Sequence, residues 1–353
     1  MLKLEARPEA SRFWRIGSPL LALALTVLIG VGIFALMGKD PLKGLAVFFW
    51  EPIKSAYALS ELAIKATPLL LIALGLSVCY RANVWNIGAE GQFVLGAIAG
   101  GGVALLADGG SPRVIVFAVL AAGVLGGMLW AGIVALLRDR FNANEILVSL
   151  MLVYVAELVL AYLVYGPWKD PQGYNFPQTR MFDAVTQIPR LLKGSRINVG
   201  VLIALFGALG MWLYMFRTFG GFQLQVGGLA PAAARYAGFS SRRALWSALL
   251  ISGGMAGLAG AIEVAGPIGQ LTPHVPVGYG FAAIIVAFVG RLHPLGCVFA
   301  AILLSMFYIG GELAQSRLGM PKALTGVFQG LLLFTLLACD TLIGYRIRRT
   351  GRA

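Results

Sequence analysis

Long apolar runs dominate the chain, separated by short polar segments. A transmembrane helix needs about 20 mostly apolar residues, because a helix rises about 1.5 Å per residue across a core about 30 Å thick. Ten runs meet or approach this length: residues 18–37, 60–80, 91–107, 114–137, 146–165, 199–216, 244–264, 279–290, 295–311 and 322–343. The run at 279–290 is too short to cross straight and predicts a short or broken helix. The pattern predicts an all-α polytopic membrane protein with about ten transmembrane helices in a single domain, residues 1–353.

The basic residues indicate which side of the membrane the ends face. Ten crossings place both termini on one side, and Lys and Arg accumulate in cytoplasmic segments. Arg12 and Arg15 precede the first run, and Arg348 follows the last. We therefore predict that both termini are cytoplasmic (N-in/C-in). In this orientation residues 166–198 form an extracytoplasmic loop and residues 217–243 a cytoplasmic one.

The composition agrees with a membrane protein. Hydrophobic residues make up 59% of the chain and charged residues 12%, whereas soluble domains average about 45–50% apolar and about 25% charged. Such a composition excludes a disordered chain and a coiled coil. The net charge of +13 comes from short segments between apolar runs and from the tails. The positive charge therefore indicates the orientation of the chain in the membrane and a docking surface for a partner. We predict no nucleic acid partner.

Residue patterns needed for catalysis are missing from the sequence. A phosphate-binding loop needs G-x-x-x-x-G-K-[ST], but the chain's Gly38-Lys39 pair is followed by Asp40. The two histidines, His274 and His293, lie in predicted loops on opposite faces, which argues against a shared metal site. We predict that the chain is not an enzyme and carries no catalytic residue, metal or cofactor.

Four pairs of glycines lie four residues apart within the apolar runs. They are Gly96/Gly100, Gly123/Gly127, Gly253/Gly257 and Gly326/Gly330. Small residues at this spacing let two helix backbones approach closely in a membrane. The four pairs predict tightly packed helix seams.

One polar segment lies between two strongly apolar runs. Residues 83–92 read NVWNIGAEGQ, and polar groups at membrane depth face a cavity or the bundle interior. The segment therefore supplies candidates for lining a membrane pathway, and the alternative is an ordinary cytoplasmic turn. The candidates are Asn83, Asn86, Gly88, Glu90 and Gln92.

Further polar residues lie in or near the later runs. Asn144 and Glu145 precede the fifth run, where they could line the pathway or only cap the helix. Glu157 lies within the fifth run, and an acidic residue there usually faces protein or water. We take Asn144 and Glu157 as pathway candidates, with Glu263 near the end of the seventh run as a weaker one.

The cytoplasmic segment contains a short predicted helix. Residues 231–238 read PAAARYAG, in which Pro favours a first helical position and Gly a helix end. The helix is too short and polar to span a membrane. It suits docking into a groove of a partner, and the alternative is a simple surface helix.

Three segments carry a resemblance to a known family. They are Asn83–Gln92 (NVWNIGAEGQ), Asn144–Ala156 (NEILVSLMLVYVA) and Gly227–Phe239 (GGLAPAAARYAGF). The sequence resembles the permease subunits of bacterial ABC importers of the ribose/branched-chain amino acid superfamily, from about residue 55 to residue 343. The N-I-G-A-E-G-Q string is similar to the nucleoside branch, which is served by basic-membrane-lipoprotein-type binding proteins.

The resemblance implies the location, the partners and the contact residues. It places the chain in the bacterial cytoplasmic (inner) membrane. It implies an ABC ATPase that binds the ATP, a second homologous permease and an extracytoplasmic solute-binding protein, besides membrane lipid. The short helix would be the coupling helix that contacts the ATPase through Ala233, Ala234, Arg235, Tyr236 and Gly238.

Two departures from the family pattern bear on the solute. Leu229-Ala230-Pro231 stands where the family often has Asn before Ala-Ala, and Val153 stands where the fifth run commonly carries Asn before Tyr. The second change removes an amide that could touch a polar solute. Our leading hypothesis is an importer of nucleosides or related purine-like solutes. A permease for simple sugars and an ion-coupled secondary transporter are the alternatives.

Overall fold

The computed structural model describes residues 2–6, 12–107, 111–192 and 194–349, and these are helical apart from two short strands. The strands are β1 (Leu2–Ala6) and β2 (Tyr345–Arg349). The α-helices in the described residues are α1 (Arg12–Leu36), α2 (Pro41–Leu45), α3 (Ala56–Arg81), α4 (Ala89–Leu106), α5 (Pro112–Phe141), α6 (Glu145–Tyr165), α7 (Val199–Arg217), α8 (Phe219–Leu229), α9 (Pro231–Tyr236), α10 (Ser241–Glu263), α11 (Tyr279–Val289), α12 (Pro294–Leu318) and α13 (Leu324–Gly344). π-Helical turns follow α2 at Ala46–Trp50 and α10 at Val264–Ile268, and a short 3₁₀ turn covers Glu51–Ile53.

Nine helices in the described residues are long and apolar enough to cross a membrane, and α11 is a shorter apolar helix. These ten helices coincide with the ten apolar runs, so the predicted fold class is confirmed. The eighth run is the short one, as expected, with 11 residues. Glycine at position 278 adopts a left-handed φ of +84° directly before it, which sets where the helix starts.

The helices form two compact units, Met1–Leu62 with Leu304–Ala353, and Ala63–Leu303. In the first unit β1 pairs antiparallel with β2 from Leu2 opposite Arg349 to Ala6 opposite Tyr345. These two strands therefore lie side by side, which agrees with both ends of the chain being on one side of the membrane. The single domain over residues 1–353 stays a prediction.

A cluster of phenylalanines forms the core of the first unit. The ring of Phe48 lies 4.6 Å from that of Phe328 and 5.9 Å from that of Phe307, centroid to centroid. Phe34 packs on the same group. The four rings are buried, and aromatic pairs at these separations add to the stabilisation that burial provides.

In the second unit, α4, α5 and α10 pack through glycines. A Cβ atom on Gly96 would lie 2.2 Å from Gly257 Cα, and one on Gly127 would lie 2.1 Å from the carbonyl oxygen of Gly253. Neither position has room for a side chain, because real contacts are longer than 3 Å. The predicted seams at these glycines are confirmed, and they bring three helix backbones together around the candidate site.

The pair Gly326/Gly330 on α13 behaves differently. A Cβ atom on either residue would meet nothing within 4 Å among the described residues. Among the described residues the predicted packing seam is therefore not present, because spacing shows which residues share a helix face and not whether a second helix covers that face.

Candidate functional site

The polar segment between α3 and α4 runs from an exposed residue into the protein interior. Asn83 is exposed and takes a left-handed φ of +55°, which reverses the chain after α3. Three residues later Asn86 is completely buried, and Glu90 and Gln92 are 1% exposed. An ordinary exposed turn therefore describes Asn83 but not Asn86, Glu90 and Gln92.

Asn86 is the centre of a closed hydrogen-bond network. Its Nδ2 donates to Gln92 Oε1 at 2.9 Å and to Ser252 Oγ on α10 at 3.0 Å. Its Oδ1 accepts from Gln92 Nε2 and from the backbone N–H of Gly88, both at 3.1 Å. Both amide protons and two acceptor positions are thus satisfied. The network fixes the start of α4 against α10, and in a low-dielectric interior such bonds specify one arrangement.

Gly88 and its neighbour attach the segment to α6. The N–H of Ile87 donates to Ser149 Oγ at 3.2 Å. A Cβ atom on Gly88 would lie 2.6 Å from the carbonyl oxygen of Ser149. Glycine at position 88 therefore serves a close backbone approach.

Glu90 caps the first turn of α11. The backbone N–H of Gly278 donates to its Oε1 at 2.8 Å, and that of Gly280 donates to its Oε2. The first N–H groups of a helix lack intrahelical partners, and the positive end of the helix dipole favours a carboxylate. The carboxylate on α4 thus holds the beginning of the short helix, and the two helix starts lie side by side.

A second carboxylate lies on the other side of Tyr279. The Tyr279 hydroxyl donates to Glu263 Oε1 at 3.4 Å, and the Lys65 ammonium lies 5.8 Å from the centre of the Tyr279 ring. Phe93 meets this ring edge to face at 5.8 Å. Sequence reasoning identified Glu263 but missed Lys65 and Tyr279. A lysine inside the apolar run 60–80 was the available signal.

The remaining pathway candidates lie elsewhere. Asn144 is exposed at the start of α6, where its side chain accepts the N–H of Ile146 at 2.9 Å, so it caps the helix. Glu157 is half-buried on α6 and lies within electrostatic range of Glu90. The structure thus gathers four of the seven candidates, Asn86, Gly88, Glu90 and Gln92, into one buried cluster. Pathway lining by all seven stays a prediction.

The predicted short helix is present as α9. The N–H of Phe239 donates to the carbonyl oxygen of Ala234 at 2.9 Å, and Gly238 has a φ of +78°, which together form a glycine-ended helix stop. Ala234 is buried, whereas Tyr236 is 97% exposed and Arg235 is also exposed. Helix α9 therefore shows an aromatic and a cationic side chain to its surroundings.

Helix α8 and a phenylalanine group anchor α9. The rings of Phe219, Phe222 and Phe239 lie 5.8–6.3 Å apart, centroid to centroid. A cleft of about 830 Å³ opens beside α9 and the start of α10. Its charged lining residues are Arg138, Asp139, Glu145, Arg235, Arg242 and Arg243. Arg242 pairs with Asp139 at 2.7 Å and Arg138 with Glu145 at 3.3 Å, so the cleft keeps a positive balance.

In the described part of the chain no group of three or more His, Cys, Asp or Glu side chains could hold a metal ion. The buried cluster at Asn86 and Glu90 is instead a set of satisfied hydrogen bonds between helices. It can hold helix ends in register, and it supplies polar groups inside the membrane-spanning part.

Curated relatives match nearly the whole chain. The glucose ABC transporter permease protein TsgB13 of Haloferax volcanii is 32% identical over 98% of this chain and 93% of its own. The guanosine ABC transporter permease protein NupP of Bacillus subtilis is 29% identical over 88% of this chain and 89% of its own. The nucleoside ABC transporter permease protein NupB of Lactococcus lactis is 26% identical over 90% and 89%.

A solved structure described as an inward-facing conformation of a putative metal-chelate type ABC transporter overlays with a TM-score of 0.42 at 16% identity, covering 91% of this chain and 97% of that one. The model of the family described as branched-chain amino acid transport system / permease component matches residues 58–337. With its apolar helices, the protein is a multi-pass protein of the cytoplasmic membrane, and the ion-coupled secondary transporter is set aside. The chain belongs to the family of branched-chain amino acid transport system permease components.

Proposed function

We propose that this permease serves an ATP-driven importer of nucleosides or related purine-like solutes. The observation that carries the proposal is α9, a short helix anchored at its base and exposed at Arg235 and Tyr236. A surface helix with 97% exposure at an aromatic residue is suited to insertion into a partner, because exposed Tyr and Arg are the residues that most often dominate protein interfaces.

The partners follow from this assignment. An ABC ATPase docks on α9 through its exposed residues Ala233, Arg235, Tyr236 and Gly238, and the positive cleft beside α9 faces its surface. Ala234, which the resemblance also assigned to this contact, is buried and therefore packs inward rather than against the ATPase. ATP is bound and hydrolysed on that partner, and this chain needs no cofactor. A second homologous permease completes the membrane part, and an extracytoplasmic solute-binding protein delivers the solute and selects it.

Transport then proceeds by alternating access. Closure of two ATPases on ATP displaces α9 and with it α8, and packed helices respond as rigid bodies rather than by continuous deformation. The starts of α4 and α11 lie inside the second unit, held by Glu90 and Asn86. A change in their arrangement alters the polar groups offered to a passing solute.

Two relatives support nucleosides as the solute class. Both the guanosine and the nucleoside permease match about nine tenths of this chain, and NIGAEGQ at 86–92 is similar to the nucleoside branch. Glucose is the second candidate, because the 32% identical relative is described as a glucose permease. The loss of an amide at Val153 also weakens the case for a polar base.

Uptake by the complete transporter decides between them. Proteoliposomes would contain this chain with its second permease, ATPase and binding protein. We expect ATP-dependent uptake of labelled guanosine that unlabelled nucleosides reduce and that glucose, ribose and free bases do not. Guanosine uptake that glucose abolishes, or glucose uptake alone, would overturn the nucleoside proposal in favour of a sugar importer.

A further inference from the structure

Arg81, the last residue of α3, joins three other parts of the second unit. Its Nε donates to the carbonyl oxygen of Leu292 at 2.9 Å, and its Nη1 donates to Gln225 Oε1 at 2.9 Å. Its guanidinium carbon lies 5.1 Å from the centre of the Phe216 ring. One side chain thus connects α7, α8 and the turn that follows α11.

The Gln225 contact connects Arg81 to the docking helix. Gln225 lies on α8 and is itself held by donating from Nε2 to the carbonyl oxygen of Met215 at 2.6 Å. A Cβ atom on Gly228 would lie 2.1 Å from the carbonyl oxygen of Arg81, so α8 also rests directly on the end of α3. Ala230 ends α8 and begins α9. A displacement of α9 therefore reaches Arg81 through one short helix.

The Leu292 contact connects Arg81 to α11. Arg291 and Leu292 have φ values of +59° and +52°, and two successive left-handed residues with side chains form a strained turn that its surroundings must hold. The N–H of Leu292 donates to the carbonyl oxygen of Ala287 inside α11. Arg81 holds the end of this helix, while Glu90 holds its beginning.

We propose that Arg81 is the positioning residue that transmits the motion of α9 to α11, an inference that rests on the proposed function. A guanidinium suits this role because it offers several fixed N–H donors in one plane and bonds two acceptors at once, whereas an ammonium is a single flexible point charge. Arg81 contacts neither ATP nor solute. It determines how much of the displacement of α9 in each ATPase cycle is transmitted to α11.

The test compares uptake and ATP hydrolysis in the same proteoliposomes of complete transporter. We expect Arg81→Gln to retain the ATPase and its basal hydrolysis, while solute moved per ATP falls at least tenfold. In Arg81→Lys the solute moved per ATP falls less, because the ammonium keeps the charge but not the paired donors. The matched control is Arg217→Gln, since Arg217 is exposed at the end of α7 over Trp212 at 5.4 Å; it leaves the ratio unchanged.

If Arg81 only stabilised the fold, replacing it would lower the amount of folded complex but leave the solute moved per ATP unchanged. That result, or a wild-type ratio in Arg81→Gln, overturns the proposal. If Arg81→Gln does not assemble, Gln225→Leu tests the same connection from the α8 side, and a wild-type ratio in that variant overturns it equally.

A second readout is independent of the solute. Val277, two residues before α11, is 41% exposed, and the native cysteines are buried, so Val277→Cys can be labelled selectively with a maleimide. We expect its labelling rate to change between nucleotide-free and ATP–vanadate states, and Arg81→Gln to abolish the change. A change that persists in Arg81→Gln overturns the proposal. If Arg81→Gln abolishes the change in labelling rate but the wild type takes up no nucleoside, only the solute assignment is overturned.

Discussion

Glu90 and Gly280 meet where helices α4 and α11 begin. The Gly280 N–H donates to the Glu90 carboxylate, and a Cβ atom at position 280 would lie 2.2 Å from the backbone nitrogen of Glu90. The close approach of the two backbones and the charge of the Glu90 carboxylate therefore both contribute to this contact. The contact holds α11 against α4 across 190 positions of sequence.

Gly280→Ala should disrupt this contact. The added methyl group meets backbone atoms of Glu90 at 2.2 and 2.5 Å, which cannot rotate away, and overpacking of this kind costs about 1–3 kcal/mol of stability or more. We expect a lower melting temperature in detergent. Gly210→Ala on α7 is the control, because its Cβ atom would meet nothing within 4 Å among the described residues. Equal melting temperatures for the two variants would contradict the clash.

Glu90→Gln should impair transport while membrane insertion stays intact. A carboxylate accepts both N–H groups at the start of α11, whereas an amide offers one oxygen and turns its NH₂ group toward the second N–H. Leaving a buried donor unpaired costs about 1–3 kcal/mol. The measurement is ATP-dependent uptake at matched protein levels, with exposed Asp183→Asn as control. Wild-type rates in Glu90→Gln would show that the carboxylate has no part in transport.

Asn86→Leu should destabilise the permease more than Ser252→Ala does. The first change removes partners of Gln92, Ser252 and Gly88 together, while the second removes only one of the bonds of Asn86. A single lost bond costs about 0.5–1.5 kcal/mol, and each buried group left unpaired costs about 1–3 kcal/mol. Thermal melts of the purified protein rank the variants, and the reverse order would refute the network.

Arg235→Glu should weaken attachment of the ATPase without affecting insertion. Arg235 is exposed on α9 beside a cleft of positive balance, and a reversed charge opposes a surface complementary to that cleft. Co-purification of the ATPase measures the effect. Arg113→Glu, exposed near the opposite end of α5, is the matched control. Unchanged co-purification of Arg235→Glu would mean that α9 is not the docking helix.

His293 should titrate below its ordinary value. Burial and then the nearby Arg81 guanidinium lower the pKa of its imidazole from 6.5, because both disfavour the protonated form. Both effects therefore favour the neutral ring more strongly than in a free histidine. The chain has two histidines, so selective labelling gives two NMR signals. Arg81→Gln should raise the pKa of His293, and an unchanged pKa of His293 would contradict the proximity of the two side chains.

Helix α9 shows how much of the structure can be predicted from local sequence. Pro231 at its start and Gly238 at its end predicted its bounds, and the structure has the helix at Pro231–Tyr236 with Gly238 left-handed. Caps and stops act within a few residues, so spacing along the chain is enough to find them. The same local reasoning gave helix capping as one of two alternatives for Asn144, the other being a pathway-lining role.

The contacts of Arg81 could not be predicted from local sequence. Its partners Gln225 and Leu292 lie 144 and 211 residues away, and nothing about their own neighbourhoods distinguishes them from other polar or apolar residues. Tyr279 was overlooked for the same reason, whereas Lys65 carried a local signal as a lysine inside an apolar run. The Gly326/Gly330 pair was predicted to lie in a packing seam, but whether another helix faces these glycines depends on the tertiary structure.

The sequence by itself determined the membrane class, the ten apolar helices with one too short to cross, and the short helix α9, since each depends on the length and order of neighbouring residues. Only the tertiary structure decided that Asn86, Glu90 and Gln92 are buried in satisfied hydrogen bonds rather than exposed in a turn. A polar group inside a membrane protein must find its partners within the protein. Those partners come from distant helices, so their identity depends on how the helices pack.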